Sequence, residues 1–158
     1  MKINILVLFT AFSLSVAAQN SDDEIMKPIN TLFEAFETRD SLLARQQFTE
    51  NASLYALVKT NDSEGVILAD INKFMSFIGD QKRPNVSEPL WNPIIQRDDR
   101  IATVWVQYAF YYQNKFSHCG IDSFQLVRND NQWKILSIID TRRNTDCDIP
   151  QNIKEKYQ

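Results

Sequence analysis

The sequence predicts an α+β domain in which three helices of the N-terminal half pack on one face of a largely antiparallel sheet. Three observations carry that prediction. Between residues 21 and 79 apolar side chains recur at three- and four-residue steps in short blocks, the period of amphipathic helices. From residue 100 onward, runs rich in Val, Ile, Tyr, Phe and Trp dominate, separated by Asn and Asp clusters that read as hairpin turns. No internal repeat or low-complexity tract interrupts this order.

The chain opens with a leader. Lys2 precedes an apolar run over residues 3–16, broken by Asn4, Thr10, Ser13 and Ser15, and small residues Ala17 and Ala18 precede Gln19. Residues 1–18 therefore read as a secretory signal peptide cleaved after Ala18. The run is too short to span a bilayer and no lipidation cysteine follows it, so no membrane attachment is expected after cleavage. The expected location is secreted or periplasmic. The mature chain has 140 residues (158 minus 18), enough for one domain with its own core, assigned to residues 19–148 with a polar tail over 149–158. Without Lys2 there are 16 basic against 20 acidic residues, a formal charge of -4. No basic stripe appears, which argues against a nucleic-acid partner.

Each element follows from local chemistry. Ser21, Asp22, Asp23 and Glu24 have capping-box spacing, and Ile25, Ile29, Leu32, Phe33 and Phe36 then share one helical face. Pro28 either kinks this helix or marks its true start. Asp40 reads as the N-cap of a short second helix ending near Phe48. Residues 52–58 and 64–68 have β character around a turn at Thr60, Asn61, Asp62 and Ser63. Asp70 caps a third helix with Ile71, Phe74, Met75 and Ile78 on one face and Gly79 at its end. Residues 90–96 look extended, and Pro89 and Pro93 place that strand at a sheet edge. The run IATVWVQYAFYYQ is apolar on both faces, so it needs cover on both or lines a pocket on one. A turn at Asn114 and Lys115 follows, then a hairpin over residues 116–143 with its turn at Asn129, Asp130, Asn131 and Gln132.

Export makes the two cysteines a pair to be read together. Cys119 lies near the start of one hairpin strand and Cys147 just past the end of the other, so a disulfide between them is one reading. It would stabilise the fold by about 3 to 4 kcal/mol through loop closure. Two separate buried thiols are the other. Asn51, Asn61 and Asn85 head Asn-x-Ser sequons, which matter only in a glycosylating host.

The element order, with KPINTLFEAF, FSHCGIDSFQLV and WKILSIIDTRR, resembles the nuclear transport factor 2-like superfamily, and within it small exported proteins of the SnoaL-like and "putative lumazine-binding" types. The likeness covers residues 23–147. It implies a strongly bent antiparallel sheet wrapped around a helix into a cone, the cystatin-like shape, with an apolar cavity and often a homodimer. The superfamily mixes enzymes with domains of no known chemistry, so fold alone does not name a function.

The polar groups at one end of the hairpin are the candidate site. His118, the only histidine, reads either as a general acid or base or as a structural residue beside the disulfide. If Val127 pairs with Ile135, Asp122 falls opposite Asp140 on the face of Phe124, Leu126, Leu136 and Ile138. Two carboxylates that close would push one pKa upward and make a base. A one-residue slip would separate them. Otherwise Asp140 pairs with Arg142 or Arg143 and Asp122 is solvated. Arg142 and Arg143 suit an anionic ligand or surface salt bridges. Asp40 reads first as a cap. Trp105, Tyr108, Tyr111 and Tyr112 read as core or as cavity wall, which in a cone are one surface. One histidine among scattered carboxylates lacks zinc spacing, so neither metal nor cofactor is expected. The leading expectation is a pocket for a small apolar or aromatic ligand, bounded by Trp105, Tyr108, Phe124 and Arg142. A runner-up is an isomerase, cyclase or dehydratase with Asp140, Asp122 or His118 as its acid or base. In ketosteroid isomerases one aspartate is the base while a tyrosine and a protonated acid donate to the oxyanion. A third expectation is an interaction module dimerising through the open sheet face.

Overall fold

The computed structural model describes the backbone of residues 11–59 and 64–157 and the side chains of residues 21–57 and 65–157. Residues 1–10, the side chains at the expected cleavage site and the Asn61 sequon lie outside the described residues. Helices α1 (Ala11–Thr38), α2 (Ser41–Arg45) and α3 (Ile71–Gly79) accompany strands β1 (Phe48–Lys59), β2 (Glu64–Ala69), β3 (Val86–Ser87), β4 (Leu90–Arg97), β5 (Ile101–Tyr112), β6 (Lys115–Asn129) and β7 (Gln132–Thr141), and α4 (Gln151–Tyr157) closes the chain. No described helix is long and apolar enough to cross a membrane.

The helix boundaries follow their caps. Asp40 accepts from the backbone of Leu43 at 2.9 Å, and Asp70 from those of Asn72 and Lys73 at 2.7 and 3.1 Å. The predicted capping box at Ser21 lies inside α1 instead, because neither Gly nor Pro interrupts residues 11–27. Pro28 also lies within that helix. The second helix stops at Arg45, and Phe48 already belongs to β1, whose strand therefore starts four residues before the predicted one.

The sheet runs β2-β1-β7-β6-β5-β3, with β4 also on β5. Its pairs are antiparallel except β1 with β7, which is parallel, so the expected antiparallel sheet is a mixed one. The chain can join those two strands in parallel only because the remaining strands and α3 form the crossover between them. Both hairpin turns are two-residue loops with positive φ at Gln113 and Asn114, and at Asp130 and Asn131, the geometry that matches strand twist. In β4 the ladder slips between Trp91 and Ile94, around Pro93 and a left-handed Asn92.

The main core lies between the concave side of the sheet and α1. Ile25, Ile29, Leu32 and Ala35 pack against Val104, Val106, Phe124, Leu126 and Ile135. Arg83, buried and with no ion pair among the described residues, lies 5.3 Å above the rings of both Phe36 and Phe77. It donates to the carbonyls of Phe36 and Pro84, and through Nε to that of Ile78, so one side chain ties the ends of α1 and α3 together.

The tail is not the aperiodic segment the sequence suggests. Ile149 and Ile153 pack on Ala109, Tyr111 and Cys119, and Tyr157 stacks on Tyr111 at 5.2 Å between ring centroids. This is the cover that the doubly apolar β5 requires on its convex side. The Cys119–Cys147 disulfide, with Cα atoms 6.0 Å apart, fastens the cover to β6.

Candidate functional site

Between α1, α3 and the concave strands lies a cavity of about 330 Å³. Its walls are apolar: Leu32, Phe33 and Phe36 from α1, Phe74 and Phe77 from α3, Phe110 from β5 and Ile138 from β7. One end is polar, formed by Glu88, Tyr108, His118, Asp122, Asp140 and Arg142.

The hairpin register puts the two aspartates there. Asp122 pairs with Asp140 and Phe124 with Ile138, as the sequence-based alignment requires. Further along, Val127 pairs with Lys134 rather than Ile135, because a bulge between Gln125 and Leu126 takes up one residue. The bulge also makes Ile135 the fully buried residue in place of Leu136. Without it, one of the two patterns, core or carboxylates, would face outward.

Asp122 is 3% exposed. Its carboxyl is hydrogen-bonded to that of Glu88, which hangs from the link between β3 and β4. Burial, the Glu88 charge and the Asp140 charge all raise Asp122 well above the usual carboxylate range. Glu88 is pushed up to about 8, by burial first and the Asp140 charge second, while Arg142 and the bond from Asp122 pull the other way. Both acids are therefore held toward their protonated forms, by burial first and then by the neighbouring carboxyls.

Asp140 is otherwise committed. Arg142 Nε lies 2.7 Å from Asp140 Oδ2, in a pair at the cavity mouth where half of the arginine side chain is exposed. Arg142 is thus neutralised within the site, and Arg143 turns away to the carbonyl of Asp146 at 3.3 Å. Tyr108 is buried, and its hydroxyl donates to the Thr141 carbonyl at 2.9 Å. Burial and the surrounding acids hold the phenol protonated far above its ordinary range. Gly120 makes that reach possible. A Cβ there would stand 1.8 Å from the Thr141 carbonyl oxygen and 2.7 Å from the Tyr108 ring. His118 stacks on Phe110 with ring centroids 5.0 Å apart, and its Nδ1 lies 3.0 Å from Ser117 Oγ. Burial, then Arg142, lower its pKa, with Asp140 opposing.

Several predicted lining residues are elsewhere. Trp105 is 51% exposed on the convex face, because alternation along β5 sends Val104, Val106 and Tyr108 inward and Trp105 outward. Tyr111 is sealed under α4 and Tyr112 is exposed. Phe124 is core, edge-on to Phe33, rather than wall. Asp40 serves its cap. Among the described residues no group of three or more His, Cys, Asp or Glu is placed to hold a metal. The residue that sequence reasoning missed is Glu88. It precedes Pro89 in a short connection, and no periodicity marks its side chain as inward.

This architecture, a curved unclosed sheet around a helix with a polar-ended hollow, is the nuclear transport factor 2-like fold. The solved structures it is similar to include such a protein of unknown function from Shewanella baltica (TM-score 0.58, 15% identity, 87% of this chain and 100% of that one). A cystatin-like-fold protein of unknown function from Nostoc punctiforme gives a TM-score of 0.61 at 13% identity over 88% and 97% of the two chains. A nuclear transport factor 2-like protein with a cystatin-like fold from Novosphingobium aromaticivorans gives a TM-score of 0.64 at 10% identity over 87% and 92% of the two chains. More particularly, residues 20–139 match the family model described as "Putative lumazine-binding", and the chain belongs to that family. No curated protein matches the sequence.

Proposed function

We propose that this chain is an exported domain that binds one small, flat, largely apolar ligand in the concave cavity. The observation that carries the reading is the cavity itself: five phenylalanine rings face it, and its volume of about 330 Å³ lies in the range of small-ligand sites. The family name suggests the same class of ligand. Binding is favoured over catalysis because two of the groups an isomerase would use are occupied: the Tyr108 hydroxyl donates to the Thr141 carbonyl, and Asp140 is paired with Arg142. The test is native mass spectrometry of protein purified from an exporting host, with thermal melts against a panel of aromatic heterocycles. One bound small molecule per chain, or a melt raised by the panel, is expected. Protein that carries nothing and gains no stability from any member overturns the reading.

The reading includes a homodimer formed through the convex face. Ile94, Trp105, Ser123, Ile139, Tyr55 and Leu68 stand in register across six strands, beside an uncharged row that includes Gln96, Thr103, Gln125 and Ser137. Two copies of an acidic chain can meet there without opposing like charges. Trp105→Glu should convert dimer to monomer in light scattering, and a wild type that is already monomeric at micromolar concentration rejects the dimer.

A further inference from the structure

We propose that the preferred ligand is an organic cation, an aromatic or alicyclic body bearing an ammonium group, with the ammonium seated against Glu88 and Asp122. The inference rests on the cavity reading above and names its ligand class.

The charges that face the acid pair can be enumerated by element. The link between β3 and β4 gives Glu88, β5 gives Tyr108, β6 gives His118 and Asp122, and β7 with the residue after it gives Asp140 and Arg142. The residues that α1, α3, β1 and β2 contribute are uncharged. Three carboxyls therefore share one guanidinium. Arg142 is spent on Asp140 at 2.7 Å, and Arg142 and burial together disfavour the charged form of His118. Among the described residues neither Glu88 nor Asp122 has an ion pair. In the free protein the deficit of positive charge is met by protonation of the acid pair.

An entering ammonium offers what that proton offers, with more donors. It can take one carboxylate or both, and the displaced proton leaves to solvent. The rest of the cavity suits such a guest. Phe33, Phe36, Phe74, Phe77 and Phe110 present ring faces and edges to a body that carries positive charge, an attraction that grows when water is excluded. An anion fits poorly, since it would add to three carboxyl groups that face a single guanidinium, itself already paired with Asp140. A neutral ligand would leave the acid pair as it is and gain only burial.

The test uses a matched set of probes on the intact protein: a naphthyl-ethylamine, the corresponding naphthyl-ethanol and naphthyl-acetate. The amine keeps its charge to about pH 9, as a lysine ammonium does. Titration calorimetry at pH 6 and pH 9, in buffers of different ionisation enthalpy, reads affinity and proton release together. The amine should bind about tenfold tighter than the alcohol at pH 9, with that ratio shrinking at pH 6, and should release protons on binding near neutrality. Acetate should bind weakest at both. In Glu88→Gln the amine-to-alcohol ratio should fall toward unity and lose its pH dependence. An alcohol equal to or tighter than the amine at both pH values overturns the cation while leaving the pocket reading intact. If no probe of the three binds, and the heterocycle panel fails as well, both readings fall.

Discussion

The concave hollow and the convex patch beneath α4 are built from opposite faces of the same strands, yet one is open and the other sealed. Along β5 and β6, Ala109, Tyr111 and Cys119 face outward, and Ile149, Ile153 and Tyr157 cover them under a disulfide clamp. Tyr108, Phe110, His118 and Asp122 face inward, where α1 and α3 stand back and leave space. Both patches are apolar enough to demand cover, and at the cavity end of the concave side the cover that α1 and α3 give is incomplete. An apolar surface that its own chain leaves uncovered, with buried acids at its end, is the form a binding site takes.

The largest effect should come from Gly120, where the two regions meet back to back. Gly120→Ala places a methyl 1.8 Å from the Thr141 carbonyl, so the hairpin and the Tyr108 ring must part. A loss of about 3 kcal/mol in urea unfolding is expected, together with loss of ligand binding. A variant as stable as wild type would refute the tight approach.

Next is the seal. Cys147→Ser should cost about 2 to 4 kcal/mol and expose the amides of residues 149–157 to hydrogen exchange, with the cavity end of the sheet less affected. Equal loss of protection in both regions would show that they are not separate units.

The hollow has its own signature in pH. Glu88 rises from 4.5 unfolded to about 8 folded, so between those values the folded state holds a proton that the unfolded state has released. Stability therefore falls as pH rises through that window, by at most about 1.4 kcal/mol per pH unit from this group, and levels off above it. Glu88→Gln should flatten the slope, and an unchanged slope would remove Glu88 from the pair. The smallest effect is on the open convex face. Trp105→Glu should change the stability of the subunit itself by about 0.5 kcal/mol or less, since the side chain is already half in water.

Much of this contrast was legible beforehand. The three helices, the two caps at Asp40 and Asp70, the cross-strand position of Asp122 and Asp140 and the closeness of Cys119 to Cys147 are all set by local spacing and turn chemistry. The register was readable although its assumed partner, Val127 with Ile135, was off by one, because the bulge lies beyond the aspartates. Arg142 was legible as a cation but not as one already matched to Asp140.

What the amino-acid sequence determined by itself was periodicity: which residues share a face, where strands turn and which acids can lie side by side. Only the tertiary structure decided which face became concave, that α4 would seal the other, that Trp105 would point to solvent and that Glu88 would swing in from its loop to meet Asp122. Those outcomes depend on the bend of the sheet and on contacts between segments far apart in the chain. A period of two or of 3.6 residues cannot encode them, since it fixes a side chain's direction relative to its neighbours and not to the rest of the fold.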